Sequence, residues 1–409
     1  MNLASLREAE SRHLLQTYDR YPVAVARGKG VYLYGLDGRR YLDFLSGIGV
    51  MALGYSHPAI VRIIREQSAR LVHVSNLFYT PFQSALARKL GELSGLERAF
   101  FCNSGAEAWE AALKIARVFA RSRGKTRRTR FLALEDSFHG RTMGALATTF
   151  TPKYREPFEP VMPGVSFVKP DDIAGLRRRF SDDVCAVCVE TVQGEGGVRP
   201  LSRAFLAEAR RLTRGTGALL LVDEIQCGLG RTGSMFAYQR HGIKPDVVTL
   251  AKPLAAGLPL GAVLVAEETA AAVKPGMHGT TFGGGPLACA VALKVIEIIE
   301  REGLLEHVTE VGGHLLSGLR RLAGRHSVVR EARGVGLMAA LELESAQAAK
   351  DVHRRLLERG IIINRTHETT LRFLPPYIVE RRHVDLVLSE LDAALSACAP
   401  TERSVHARA

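Results

Sequence analysis

The stretch ALLLVDE (Ala218–Glu224), followed downstream by DVVTLAK (Asp246–Lys252), decides the fold. Each is an apolar run of strand length, and each ends on charge. A strand that is apolar at every residue has both faces of its sheet covered, which is the mark of a largely parallel sheet. ERAFFC (97–102), RFLALE (130–135), DVCAVCVE (183–190) and GAVLVAE (261–267) read the same way, with helical patterns between them such as that from about Ser202 to Thr213. The expected core is a doubly wound α/β domain, its mainly parallel sheet carrying helices on both faces.

Working outward, GKGVYLYGLDGRRYLDFLSG (28–47) alternates around Asp37-Gly38, a hairpin signal. Beyond Leu287 come two long helical patterns, then SVVREARGVGLMAALELE, a helix near Gln347 to Arg359 and the strand LRFLP, which together suggest a smaller α+β domain. We therefore expect an N-terminal segment with a hairpin at 1–60 that packs with the small domain, a large domain at 61–300, and a small domain at 301–409. The tail APTERSVHARA lacks periodicity and reads as a frayed end.

The 409 residues are 46% apolar, enough for a large core. No apolar run approaches the roughly 20 residues of a membrane span, and the N-terminus lacks a signal-peptide core, so cytoplasmic residence is expected. Cys185 and Cys188, three apart in a strand, should point to opposite faces and share neither a metal nor a disulfide. The net charge of +13 concentrates in RSRGKTRRTR (121–130). Nucleic-acid binding is the function class such a run suggests, but without interleaved aromatics it reads better as a solvated connection.

Ligands of open α/β sheets bind beyond the carboxyl ends of the strands. Those ends carry Glu190, Asp223, Glu224 and Lys252, and RFLALE leads into Asp136, Ser137, Phe138 and His139. AFFCNSGAEAWEAALKIAR reads as a strand, a tight turn at Ser104, Gly105 and Ala106, and a helix whose N-terminus favours a phosphate. Ser104 with Glu107 is equally a capping box. A lysine held partly desolvated at a strand end keeps free amine for attack on an aldehyde. Asp223 is the natural acid to keep a pyridine nitrogen protonated, so the residues point to Lys252 holding pyridoxal 5'-phosphate as a Schiff base.

YPVAVARGKGVYLYGLDGRRYLDFLSGIGV, LGYSHP, HVSNLFYTPFQ, NSGAEA, SFHGRT, QGEGGV, VDEIQCGLGRTG, LAKPLAAGLPLGA, HGTTFGGGPLAC, RGVGLM and LRFLPP, in this order over most of the chain, resemble the class III (ornithine-type) aminotransferases, their acetylornithine branch above all. The resemblance implies a fold-type I homodimer with shared active sites. In it Lys252 carries the cofactor and moves the proton, Asp223 pairs with the ring nitrogen, Gln226 lies near the phenolic oxygen and Phe138 stacks on the ring. Ser104, Gly105 and Ala106 contact the phosphate, and Thr281 reaches it from the neighbouring subunit. Arg141 takes the donor's α-carboxylate, Arg372 that of 2-oxoglutarate, and Glu195 masks Arg372 while the donor is present. Tyr18, Asn76, Tyr79 and Thr280 line the substrate pocket.

The implied reaction moves the distal amine of N-acetyl-L-ornithine, or of a relative such as succinylornithine, ornithine, 4-aminobutyrate or a carrier-linked lysine precursor, to 2-oxoglutarate, within arginine biosynthesis. An aminomutase or racemase on the same scaffold has no need of the Glu195 and Arg372 pair, and a non-catalytic binding protein would be colourless where an aldimine is yellow. Trp109, Gly285, Thr191 and Met51 depart from the family pattern, which has asparagine, asparagine, proline and often asparagine there.

Overall fold

A computed structural model describes residues 2–398; the tail APTERSVHARA lies outside the described residues. A seven-stranded sheet runs, edge to edge, Arg98–Cys102, Gly261–Val265, Val247–Leu250, Leu219–Asp223, Val184–Glu190, Arg130–Leu134 and Val165–Val168. All neighbours are parallel except Gly261–Val265, which is antiparallel to both strands beside it. The sheet is therefore mainly parallel, as the continuous apolar runs require.

Alternate residues of the central strands feed two different cores. Leu219 and Leu221 join a cluster with Ala108, Ala112 and Phe119 of the helix Gly105–Ser122, while Leu220 and Val222 join one with Phe205, Leu206 and Ala209 of the helix Arg203–Thr216. Burying a leucine or valine on either face stabilises the fold by roughly 1.5–3 kcal/mol. Cys185 and Cys188 depart from expectation, since both border the first of these clusters. Arg130 pairs with Val184 and Phe131 with Ala186, so Cys185 is the extra residue of a bulge and the alternation slips there. Both thiols are free.

Register sets the site. Asp223 pairs with Glu190 on one side and Thr249 on the other, so the three sit in one row at the carboxyl edge, and Lys252 follows three residues beyond Thr249. Cys102 pairs with Gly261, which brings the start of the helix Gly105–Ser122 to the same edge.

Two further four-stranded sheets flank this body. Val329–Val335, Met338–Leu343, Thr370–Phe373 and Asn364–Thr366 form an antiparallel sheet. The strands Val25–Lys29, Tyr32–Gly35 and Arg40–Asp43, which turn at Asp37-Gly38, are joined by Ile361–Ile362 from the far end of the chain. An N-terminal helix, Leu3–His13, buries none of its residues, so no apolar stripe announces it in the sequence.

The basic run 121–130 is not a wholly solvated connection. Arg128 is buried and donates to the carbonyls of Asp182 and Thr216, Arg123 pairs with Glu268, and Arg130 lies 3.2 Å from Asp183. The carbonyls of the loops around Asp182 and Thr216 need donors, and Arg128 supplies them. Among the described residues no helix is long and apolar enough to cross a membrane.

Candidate active site

The row of strand ends opens into a cavity of about 260 Å³ lined by Gly105, Ala106, Phe138, Arg141, Glu195 and Lys252, among others. Lys252 begins a short 3₁₀ turn, Lys252–Ala255, directly after its strand. Burial lowers its ammonium pKa, against the pull of Glu195, Asp223 and Glu190 and with the push of Arg372. An amine so placed spends more of its time unprotonated than a surface lysine.

Asp223 is held from two sides. One oxygen accepts the Ile225 N–H at 3.0 Å and the other lies 2.8 Å from His139 Nδ1. Glu190, its neighbour in register, accepts the N–H groups of Phe138 and Gly194. Burial, reinforced by the Asp223 charge, nevertheless pushes the Glu190 carboxyl up to about 7. Of two adjacent buried carboxyls, Asp223 is the one bound to His139 and Glu190 the one driven towards the neutral form.

Across the cavity, Ser104 caps the helix Gly105–Ser122, its hydroxyl accepting the Glu107 N–H. The capping reading and the anion-site reading thus describe one turn. A Cβ on Gly105 would lie 2.8 Å from Ile225 Cδ1, so only glycine lets the backbone pass there. Gly140 has φ +136° and would meet Ala106 Cβ at 2.9 Å, which keeps the loop carrying Phe138 and Arg141 pressed on the helix start.

Arg372 is 1% exposed in the third strand of the C-terminal sheet. It donates to Glu195 at 2.7 Å, Gln226 Oε1 at 3.1 Å, the Gly194 carbonyl and Asn364 Oδ1. For Glu195, burial that would raise its pKa is outweighed by Arg372 and Lys252, so it lies below the ordinary value and stays ionised. Arg141 is exposed, its guanidinium 3.5 Å from the Tyr154 ring centroid and 5.6 Å from that of Phe138. A flat, always-charged group at the mouth can take a carboxylate in two parallel hydrogen bonds.

The remaining sequence candidates do not gather at this cavity. Tyr18 and Tyr79 point into solvent, and Thr281 is exposed. Asn76 donates to the carbonyls of Thr280 and Gly283, and the Thr280 hydroxyl accepts from Asn103, so this cluster sits beside the capped turn instead. His139, Glu190 and Asn364 are groups that the sequence reading left without a role. Glu190 could have been found from its register with Asp223, whereas nothing local marks Asn364 as a partner of Arg372.

The side chains present fit pyridoxal 5'-phosphate. A helix start with unhindered backbone suits its phosphate, a buried carboxylate opposite suits a protonated pyridine nitrogen, and a lysine of lowered pKa between them suits its aldehyde. Residues 15–395 match the model of the family described as aminotransferase class-III. The acetylornithine aminotransferase of Methanocaldococcus jannaschii is 45% identical over 94% of this chain and 96% of its own, and that of Aquifex aeolicus 44% over 93% and 98%. The crystal structure of the ornithine aminotransferase of Toxoplasma gondii superposes with a TM-score of 0.93 at 32% identity, covering 97% of this chain and 96% of that one. With a family match that spans nearly the whole described chain and a lysine and carboxylate meeting in one cavity, the protein belongs to the class-III aminotransferases.

Proposed function

We propose that this aminotransferase holds pyridoxal 5'-phosphate between the helix start at Gly105 and the Asp223 carboxylate, takes N-acetyl-L-ornithine as amino donor and 2-oxoglutarate as acceptor, and works as a cytoplasmic homodimer. The convergence of Lys252, Asp223 and the Glu195–Arg372 pair on one cavity carries this reading. The names of the relatives support the donor. When bound, the cofactor supplies an electron sink for the carbon that loses its proton.

Asp223 would keep the ring nitrogen protonated, and Gln226 would serve the phenolic oxygen. Ser104, Gly105 and Ala106 would hold the phosphate, with Thr281 of a second subunit, and Phe138 would cover the ring face. Lys252 Nζ accepts the proton that leaves the carbon bearing the donor's amine. Arg141 anchors the donor's α-carboxylate at the mouth, so that its distal amine reaches the floor. Glu195, ionised against Arg372, closes off the deeper cation while the donor is present. When 2-oxoglutarate enters, its α-carboxylate displaces Glu195 from Arg372, so one cavity serves two acids of different length. The donor leaves as its semialdehyde and the acceptor as glutamate.

Exposed Leu77, Phe78, Tyr79 and Phe282 support a second subunit over the rim, since apolar side chains this large are seldom left together in water. Tyr18, Asn76, Tyr79 and Thr280 then complete the pocket from the rim. Six free cysteines suit a reducing compartment.

The test is a half-reaction spectrum. N-acetylornithine alone should bleach the visible band of the loaded protein, and 2-oxoglutarate should restore it. A band that ignores N-acetylornithine but responds to ornithine, succinylornithine or 4-aminobutyrate changes the donor and keeps the chemistry. Absence of any band after incubation with pyridoxal 5'-phosphate would sink the cofactor assignment.

A further inference from the structure

Directly behind Asp223 stands a pair of rings with no part in the steps so far. The Trp109 indole lies flat on the His139 imidazole, with centroids 3.9 Å apart and planes 5° from parallel. Trp109 is fully buried and is the sole tryptophan of the chain. Its Nε1–H donates to Thr148 Oγ1 at 2.8 Å, and the His139 backbone N–H donates to Thr149 Oγ1 at 3.0 Å. Adjacent threonines at the end of the short helix Met143–Ala147 therefore hold both members of the stack.

The torsion that turns an imidazole is soft and has broad minima, so the ring's direction must be set by its neighbours. An indole in face contact prevents that rotation, because a tilt drives the edge of the imidazole into it. The direction so enforced aims Nδ1 at Asp223, while Nε2 finds no partner among the described residues. A neutral ring has one donor, and only with the proton on Nδ1 is no buried N–H left unpaired. Trp109 also lies one turn along the helix whose first residues, Gly105 and Ala106, face the cavity.

We propose that Trp109 is a positioning residue which, by stacking on His139, fixes the imidazole that orients Asp223 and so couples the phosphate end of the site to its ring-nitrogen end. This rests on the assignment of pyridoxal 5'-phosphate above. A mere core filler would act through volume; the stack acts through a flat face.

The experiment uses the full chain with Trp109→Leu, Trp109→Phe and His139→Asn. Emission of the lone tryptophan is measured first, without cofactor. The emission of an indole depends on what lies against its face, so His139→Asn should change its intensity or wavelength. Unchanged emission means that the stack does not exist in solution and overturns the proposal whatever the cofactor. Pyridoxal 5'-phosphate is then titrated by its visible band. Trp109→Leu should weaken binding about tenfold and displace the band, and Trp109→Phe, which keeps a flat face, should bring both back to within about twofold. Trp109→Met, a residue that fills irregular core space, replaces Trp109→Leu should that variant not fold. Binding by Trp109→Leu equal to wild type, or equal losses in the leucine and phenylalanine variants that track their melting temperatures, makes Trp109 a filler and ends the proposal. If emission changes on His139→Asn yet the wild type binds no cofactor, the functional reading has failed, and the positioning role goes with it.

Discussion

The floor of the cavity and its rim are built by opposite means. On the floor, Asp223, His139, Glu190 and Arg372 are all less than a tenth exposed, and each is held by hydrogen bonds from different elements. On the rim, Tyr18, Tyr79 and Thr281 hang in water, and only Asn76 and Thr280 hold each other through the chain. A site that places charge must exclude water, and the floor does so within one chain. The rim stays open in one chain, and it is this open rim that the proposed second subunit would cover.

The contrast is broken most severely at Lys252. Lys252→Ala should lose the visible band and about 10⁴-fold in turnover while melting near the wild-type temperature. A variant retaining a tenth of the activity would mean that the proton moves elsewhere. Next comes Arg372→Ala, which strands Glu195 in the floor. We expect about 3 kcal/mol less stability and roughly a hundredfold lower kcat/KM for 2-oxoglutarate, with the donor half-reaction changed far less. Equal losses for both substrates in single-turnover assays would contradict the division of labour between Arg141 and Arg372.

Glu190 sharpens the comparison by pH. Its folded pKa, about 7, lies above the ordinary 4.5, so the folded chain holds this proton more tightly than the unfolded chain does. The stability it contributes is complete below about pH 4.5 and is lost as pH rises through 7, at most about 3 kcal/mol by linkage. Glu190→Gln should flatten that part of the stability–pH curve in chemical denaturation, whereas an unchanged slope assigns it to other groups. The smallest effect belongs to the rim. Thr281→Val should weaken cofactor binding about fivefold, the worth of one hydrogen bond, and only at concentrations where the dimer persists. The same loss in diluted monomer would place Thr281 in its own subunit's site.

The floor was legible because its chemistry sits at strand ends, and continuous runs such as ALLLVDE and DVVTLAK show where strands end. Register then brings Asp223 beside Glu190 with no further information. His139 was visible in SFHGRT, but its bond to Asp223 spans the strand Val184–Glu190 between them, and its stack on Trp109 joins a loop to a helix. No spacing rule links positions that meet only through tertiary packing. Arg372 with Asn364 is a similar case, paired across a hairpin of the C-terminal sheet. The antiparallel strand Gly261–Val265 reads in sequence like its parallel neighbours, since burial on both faces sets the pattern and direction leaves no trace in it.

The strand pairing of Asp43 with Ile362 also bears on how the chain is made. The Leu42 and Phe44 N–H groups donate to the carbonyls of Gly360 and Ile362. During synthesis the first hairpin therefore emerges with an open edge, and it cannot complete its sheet until Ile362, more than three hundred residues later, has left the ribosome. Such late closure of distant contacts slows folding, and it makes the N-terminal strands the segment most in need of shielding while translation continues.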